Sequence, residues 1–222
     1  MLAVILCGGK GSRLKTLSSV FPKPLVPVRG KPILEWLILN LSSQGIRDFI
    51  FCVGHQAGLI KAYFGNGKKF GVRINYSLEK SPLGTAGPLT LLSKPPKSFF
   101  VCNADIFTDI DMRSLWESHH KNNTLLTVAT KMVSHASEFG VLEVDEYDLL
   151  VKMIEKPKQK LLVSMGMYVV DRRVIKLIPA GQKFGFDALQ KILIKNGKSP
   201  KVFRHTGEWR DLGRPQDILD LL

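Results

Sequence analysis

Short runs of β-branched and aromatic residues alternate with helix-length amphipathic segments through the first half of the chain. This alternation is typical of βαβ units, which build a mostly parallel sheet covered by helices on both faces. The run at 98–102 shows no polar alternation, which is typical of a central strand buried on both faces. The sequence therefore predicts an α/β fold with a Rossmann-like, mostly parallel sheet flanked by helices.

The boundaries of the predicted elements follow from periodicity and from residues that start or stop helices. In the first half we expect strands at 2–6, 48–53, 72–76 and 98–102, and helices from Pro32 to just before Gly45, at 57–64, and from Asp111 to about Lys121. In the second half we expect strands at 125–131, 140–144, 149–155 and 162–170, and helices at 172–178 and 187–196. The later strands are predicted to form a strand-rich cover on the open edge of the first half.

Length and composition predict one domain over residues 1–222, since no Pro/Ser-rich or charge-biased linker divides the chain. The opening apolar run is too short for a signal peptide or a membrane span and has no basic region before it, so we expect a soluble, cytoplasmic protein. Cys7, Cys52 and Cys102 lie in or at the end of apolar runs without the paired spacing of a zinc site. We therefore expect buried thiols, with neither a disulfide nor zinc.

The formal net charge of +13 is compatible with binding to nucleic acid or to small polyanionic ligands. The lysines are spread along the chain rather than gathered in one block with interleaved aromatic residues, which indicates a solvated surface. We expect neither a nucleic-acid nor a membrane partner. Nucleic-acid binding remains an alternative that rests on net charge alone.

A glycine-rich segment over residues 7–14 follows the first predicted strand. Glycines let a phosphate chain lie against bare backbone, and successive N–H groups in such a turn form an anion-binding concavity. Arg13 and Lys23 add positive charge. The spacing matches neither the P-loop nor the Gly-x-Gly-x-x-Gly fingerprint, because Leu14 stands where the latter needs its third glycine. A plain strand-to-helix connection is the alternative, and we interpret the segment as a phosphate site.

Acidic and basic residues follow other predicted strands. Asp105 comes directly after the central strand, and ligands of open parallel sheets bind beyond the carboxyl ends of the strands. A carboxylate there could hold Mg²⁺ together with phosphate oxygens, and Asp211 is the preferred second acid. A turn or cap role for Asp105 is the alternative. Lys156 closes another apolar run and would, by itself, be an ordinary surface residue.

A second glycine-containing loop spans residues 76–87. Such a loop can contact the edge of a planar base through its backbone groups. Thr85 is predicted to cap the helix that follows.

Together these segments resemble the sugar-phosphate nucleotidylyltransferases, which make nucleoside-diphosphate sugars from a nucleoside triphosphate and a sugar 1-phosphate. The resemblance rests on blocks in the family's order at 8–14, 22–25, 82–87, 103–105, 139–141, 155–157, 166–168 and 209–215. It implies the nucleotide-diphospho-sugar transferase fold, with a nucleotide-binding half over about 1–110 and a sugar-phosphate-binding half over about 111–222, the strand-rich cover.

The resemblance also implies a role for each candidate site residue. The catalytic residues would be Arg13, Lys23 and Lys156. The nucleotide would be bound by Leu6, Gly8, Gly9, Gly11, Ser12, Arg13, Lys23, Pro82, Leu83, Gly84 and Thr85. The sugar phosphate would be bound by Asn103, Gly140, Glu155, Lys156, Ser164 and Gly166, and Mg²⁺ by Asp105 and Asp211.

The implied reaction is in-line attack by a sugar 1-phosphate oxygen on the α-phosphorus, with pyrophosphate leaving and no covalent enzyme intermediate. The cations and the metal would offset repulsion between the two anions. The loop with Glu79 and residues 82–88 is more similar to that of mannose 1-phosphate and heptose 1-phosphate guanylyltransferases than to the glutamine-containing loop of thymidylyl members. We therefore expect GTP and a manno-configured hexose or heptose as substrates.

Departures from the family pattern leave alternatives open. Ser164-Met165-Gly166 lacks the asparagine that the family often carries before the glycine, and Ala104 replaces a usual glycine. The chain ends at Leu222, so we expect no C-terminal β-helix. The alternatives are a UTP-, CTP- or dTTP-dependent enzyme acting on another sugar phosphate or phosphate monoester, and a non-catalytic nucleotide-sugar sensor. The charged residues argue against the sensor, and apolar surface in the strand-rich half is compatible with a homodimer.

Overall fold

The computed structural model describes residues 1–9, 22–212 and 217. The strands, in chain order, are β1 (Leu2–Leu6), β2 (Pro27–Val28), β3 (Lys31–Pro32), β4 (Asp48–Val53), β5 (Arg73–Leu78), β6 (Ser98–Asn103), β7 (Ile106–Thr108), β8 (Leu126–Ala136), β9 (Val141–Val144), β10 (Leu150–Ile154), β11 (Lys158–Asp171), β12 (Lys201–His205) and β13 (Trp209–Asp211). The α-helices are α1 (Ile33–Ser43), α2 (Ala57–Phe64), α3 (Met112–Lys121) and α4 (Phe186–Lys195).

The described residues form one central sheet of seven strands in the order β12-β8-β11-β6-β1-β4-β5. Neighbours pair in parallel except at β11, which is antiparallel to both β6 and β8. Strands from both halves of the sequence therefore share one sheet. The predicted α/β fold with a mostly parallel sheet is confirmed.

Alternate residues of the central strands pack into separate cores on the two faces of the sheet. Ala3 and Ile5 of β1 pack with residues of α1, α2 and α3. Val4, between them, packs on the other face with α4 and the 3₁₀ segments Gly87–Leu91 and Arg172–Leu177. Because successive side chains of a strand point to opposite faces, this division explains the unbroken apolar runs of the sequence.

The three cysteines are buried in these cores, as predicted. Burial raises the pKa of both Cys52 and Cys102 to about 12, with a smaller contribution from Glu79 at Cys52. The thiols therefore stay protonated at neutral pH and behave as small apolar groups. Within the described ranges, no helix combines the length and the apolar character needed to cross a membrane.

In the second half of the chain, several predicted elements differ from the structure. The predicted helix at 172–178 is a 3₁₀ segment, Arg172–Leu177. Ile178 is extended and precedes Pro179. A proline disfavours the helical conformation of the residue before it, so the segment ends there and is too short for an α-helix. Strands β8 and β11 also run beyond the predicted 125–131 and 162–170, because their outer ends are exposed and carry no core-facing pattern.

A buried histidine gives the fold a pH dependence. His119 of α3 is 3% exposed, and its Nδ1 lies 3.0 Å from Oγ1 of Thr127. Burial, with a smaller contribution from neighbouring His120, lowers the pKa of His119 from 6.5 to about 4. Between these pH values the unfolded state binds more protons than the folded state. The contribution of His119 to stability is therefore complete above about pH 6.5 and is lost as the pH falls toward about 4.

We expect His119→Gln to flatten this part of the stability profile, because glutamine does not titrate and can still hydrogen-bond to Thr127. Between about pH 7 and about pH 4.5, the free energy of unfolding measured in urea should fall by up to about 3 kcal/mol more for the wild type than for the variant. His120→Gln, at the exposed neighbour, is the matched control and should stay close to the wild type. Equal pH dependence in all three proteins would contradict this explanation.

Candidate active site

The loops after β1, β4 and β5 meet at the carboxyl edge of the sheet. A Cβ at Gly8 would lie 2.2 Å from Oε1 of Glu79, and one at Gly54 would lie 3.4 Å from the carbonyl oxygen of Gly8. Only glycine lets the acid approach the end of β1 this closely. Leu6 lies in register with Cys52 on one side and with Asn103 on the other. The predicted nucleotide residues Leu6, Gly8 and Gly9 thus lie at the carboxyl edge, where ligands of such sheets bind.

Glu79 is an unexpected member of this site. Its side chain is buried, and the carboxylate accepts a hydrogen bond of 3.2 Å from the backbone N–H of Leu83. Burial raises the pKa of the Glu79 carboxyl, and the bond from Leu83 opposes that rise. The sequence placed Glu79 in the base loop but gave it no role. The sequence feature that could have indicated this role is an acidic residue four positions before Leu83, in a loop that follows a strand.

The loop at Pro82–Thr85 is fixed against the segment before α4. The N–H of Phe184 donates to the carbonyl of Leu83 at 2.8 Å, and the N–H of Ala86 donates to the carbonyl of Phe184 at 3.0 Å. Gly84 has φ +80°, and a Cβ there would lie 2.6 Å from the Phe184 carbonyl oxygen. A glycine is therefore required on both steric and conformational grounds. Leu83 is buried, whereas Pro82 is exposed.

The prediction that Thr85 caps the helix that follows it in sequence was wrong. That segment is the 3₁₀ segment Gly87–Leu91, which has no side-chain cap. Oγ1 of Thr85 instead accepts a hydrogen bond of 3.0 Å from the N–H of Phe186, the first residue of α4. The backbone bonds to Phe184 bring α4 to this loop, so Thr85 caps a helix about a hundred residues away.

On the phosphate side of the site, two opposite charges lie in close contact. The ammonium of Lys23 pairs with Oδ2 of Asp105, and the two side chains are only 13% and 22% exposed. The sequence had assigned these residues to different ligands, and the structure brings them together. Gly11, Ser12 and Arg13 lie outside the described residues, so their roles stay predictions.

The segment near the end of the chain reaches Asp105 as well. Strand β13 pairs antiparallel with β7 and sets Asp211 opposite Ile106. The N–H of Leu212 donates to the backbone carbonyl of Asp105 at 3.0 Å. Among the residues that the structure describes, no group of three or more His, Cys, Asp or Glu is arranged to hold a metal. Two carboxylates completed by phosphate oxygens of a ligand would be a donor set that suits Mg²⁺, and β13 brings Asp211 into the same part of the site as Asp105.

Asn103, Ser164 and Gly166 are brought together beside the phosphate side. Gly166 has φ +72°, and a Cβ there would lie 2.4 Å from Nδ2 of Asn103. A register irregularity between Ser164 and Tyr168 interrupts the pairing of β11 with β8. Oγ of Ser164 accepts a hydrogen bond of 3.3 Å from the N–H of Gly166 and lies 3.2 Å from the hydroxyl of Tyr168. The bulge therefore brings Ser164 and Gly166 next to Asn103 at the end of β6.

The other predicted sugar residues lie at the root of a separate hairpin, which is formed by β9 and β10. A Cβ at Gly140 would lie 3.0 Å from Oε2 of Glu155, so the two ends of this hairpin meet closely. Lys156 is exposed and has φ +44°. A positive φ is uncommon for a residue with a Cβ, and such strain concentrates at functional sites. The structure therefore places the predicted sugar residues in two groups, one on the central sheet and one on the hairpin.

The sheet order, the glycine-lined strand end and the acid beyond the central strand are typical of α/β folds that bind nucleotides. The family model of the nucleotidyl transferases matches residues 2–222, and the chain belongs to this family. The predicted family and fold type are confirmed.

Relatives with established names cover nearly all of the chain. It is 34% identical over 224 residues to D-glycero-α-D-manno-heptose 1-phosphate guanylyltransferase of Campylobacter jejuni, covering 100% of this chain and 99% of that protein. It is 31% identical to mannose-1-phosphate guanylyltransferase of Mycobacterium tuberculosis, of which it spans 62%. The crystal structure of HddC from Yersinia pseudotuberculosis complexed with GMP-PN matches with a TM-score of 0.77 at 27% identity, covering 99% of this chain and 97% of that one.

The contact between Gly166 and Asn103 can be tested through stability. Gly166 and Gly181 have φ +72° and +71°, but a Cβ at Gly181 would meet nothing within 4 Å. We expect Gly181→Ala to lower the free energy of unfolding by about 1–2 kcal/mol through backbone strain alone. Gly166→Ala should lower it further, because its Cβ must also displace the Asn103 amide. Urea unfolding of both variants measures the difference, and equal losses would contradict the close packing of Asn103 on Gly166.

Proposed function

We propose that the protein transfers a guanylyl group from GTP to a manno-configured hexose or heptose 1-phosphate and releases pyrophosphate. The observation that carries the choice of base is the buried Glu79 carboxylate beside Gly8 and Leu83. An ionised carboxylate only accepts hydrogen bonds. Guanine presents two adjacent donors, N1–H and the N2 amino group, and a carboxylate can accept from both. Uracil and thymine present one N–H between two carbonyl oxygens, which a carboxylate would repel.

The relatives support the choice of sugar. The Campylobacter protein, which aligns end to end with this chain, is named for a manno-heptose 1-phosphate. The mycobacterial relative is named for mannose 1-phosphate, and the two sugars share the ring configuration. Asn103, Ser164 and Gly166 would contact the sugar from the central sheet, while Glu155 and Lys156 would contact it from the hairpin.

The proposed mechanism brings two anions together rather than forming a covalent intermediate. Lys23 and Arg13 would hold the triphosphate, and Lys156 would hold the phosphate of the sugar. A phosphate oxygen is already a nucleophile at neutral pH, so orientation and charge compensation are the main contributions of these residues. Asp105 and Asp211 would hold Mg²⁺, which supplies Lewis-acid stabilisation of the phosphates when it is bound.

A cytoplasmic location fits the three free thiols, since disulfides are rare in that compartment.

The proposal is tested by measuring pyrophosphate release with GTP, ATP, UTP, CTP and dTTP against a panel of sugar 1-phosphates in the presence of Mg²⁺. We expect the highest kcat/KM with GTP and a manno-configured sugar. Faster turnover with UTP, CTP or dTTP would favour the alternative nucleotide. No turnover with any pair would favour the nucleotide-sugar sensor.

Glu79→Gln should change the choice of base in the same assay. Its amide keeps the shape of the side chain but faces a guanine donor with an N–H, so kcat/KM for GTP should fall about 10- to 100-fold. The ratio of UTP to GTP turnover should rise. In the wild type, kcat/KM for GTP should also fall as the pH is lowered and Glu79 becomes protonated. Because the pKa of Glu79 is raised, this fall should begin at a higher pH than for an ordinary glutamate. The variant should not show it. An unchanged nucleotide preference would contradict the proposed contact between Glu79 and guanine.

Removing either proposed metal ligand should affect activity more than folding. Asp105→Asn and Asp211→Asn should each lower kcat at least about 100-fold, with the concentration of Mg²⁺ for half-maximal rate shifted upward. Asp109→Asn, at an acid that follows β7 and contacts His205, is the matched control and should keep near-normal turnover. Thermal unfolding checks that each variant is folded. Near-normal rates in both Asp105→Asn and Asp211→Asn would overturn the magnesium assignment.

A further inference from the structure

The hairpin formed by β9 and β10 with its connecting turn, residues 141–154, stands apart from the central sheet. Its strands form a separate two-stranded sheet, and every residue of both strands is exposed. An isolated two-stranded hairpin is marginally stable in water and needs a packing partner. The described part of this chain leaves both of its faces uncovered.

One face of this hairpin is wholly apolar. Leu142 pairs with Met153 and Val144 pairs with Leu150, so these four side chains share a face. Each of the four is between 55% and 60% exposed. The opposite face is mixed, because the ammonium of Lys152 and the carboxylate of Glu143 form an ion pair of 3.1 Å there.

Further exposed apolar side chains lie elsewhere on the hairpin and at its root. Phe139 and Tyr147 are both 75% exposed, and Leu149 and Val151 are exposed as well. An aromatic side chain has about 150–250 Å² to bury. With the four residues of the apolar face, these side chains offer on the order of 800 Å², roughly the contribution of one partner to a stable interface. Exposed apolar patches of this size mark interaction sites.

The charges of the hairpin indicate the partner. The chain carries a formal net charge of +13, yet the turn of the hairpin holds Asp145, Glu146 and Asp148. Lys156, Lys158 and Lys160 lie at the other end, at and beyond the hairpin root, where they outnumber Glu138 and Glu155. A surface that is acidic at one end, apolar in the middle and basic at the other complements itself when it is turned end for end.

We propose that two copies of this chain dimerise through the apolar faces of their hairpins, related by a twofold axis. The two small sheets pack face to face, as in a sandwich with a spacing of about 10 Å. The antiparallel orientation sets each acidic turn opposite Lys158 and Lys160 of the second copy. Such an interface is isologous, so the same patch serves both subunits. This inference concerns assembly and does not depend on the substrates.

Sedimentation velocity over about 1–100 μM protein tests the proposal. Wild-type protein should be a dimer in this range. Leu150→Glu should raise the dissociation constant about 100-fold or more, because the charge enters the twofold interface twice. Ile194→Glu is the matched control, since Ile194 of α4 is 58% exposed and Leu150 is 59% exposed. That control should leave the dissociation constant within about threefold of wild type.

A cross-linking experiment keeps the test decisive if Leu150→Glu does not fold. Met153→Cys should form covalent dimers with a bismaleimide of about 10 Å span, the distance between packed sheets. Ile194→Cys should not, and the native cysteines are buried. Three results would overturn the proposal: a wild type that is monomeric throughout, a Leu150→Glu variant that associates as tightly as Ile194→Glu, or equal cross-linking of the two cysteine variants. A monomer in which Leu150→Glu raises only the KM for sugar phosphate would instead mean that the hairpin closes on its own site.

Discussion

The pairing of Lys23 with Asp105 ties together the parts of the molecule on which the site depends. Both charges are largely withdrawn from solvent, and a partly buried charge is costly unless a partner compensates it. The pair therefore anchors the segment at Lys23–Leu25 to the end of the central strand β6. Strand β13 reaches the same point from near the end of the chain through the bond from Leu212 to Asp105. An arriving triphosphate would meet a cation and an acid that already lie at the carboxyl edge of the sheet.

Much of this architecture could be predicted from the sequence because its signals are local. The alternation of apolar runs with amphipathic segments indicated the α/β sheet, and the bounds of β4, α2 and the Asp111 cap of α3 came out as predicted. The errors fall where local signals are weak. The outer ends of β8 and β11 carry no core-facing pattern, so only their mutual pairing shows that they are strands.

The contacts within the site are different in kind, because they join residues far apart in sequence. Gly8 could be recognised as part of a glycine-rich turn, but its reason for being glycine is the carboxylate of Glu79. Gly84 belongs to a family motif, but the backbone of Phe184 is what excludes a side chain there. A sequence motif records that a residue type is needed, whereas the tertiary contact gives the cause. The role of Glu79 escaped the sequence analysis for this reason.

The two halves of the proposed site have different mechanical support. Gly8 and Asp105 follow β1 and β6, most of whose side chains are packed in the two cores, and Glu79 follows β5, which packs through Ile74 and Tyr76. Glu155 and Lys156 stand at the root of a hairpin whose strands are exposed on every residue. Low local packing lets such a segment open more readily than the core. Because Gly140 and Glu155 meet at that root, a partner that covered the apolar face would also restrict the movement of Glu155 and Lys156. In the proposed dimer, assembly and the geometry of the sugar side would therefore depend on the same hairpin.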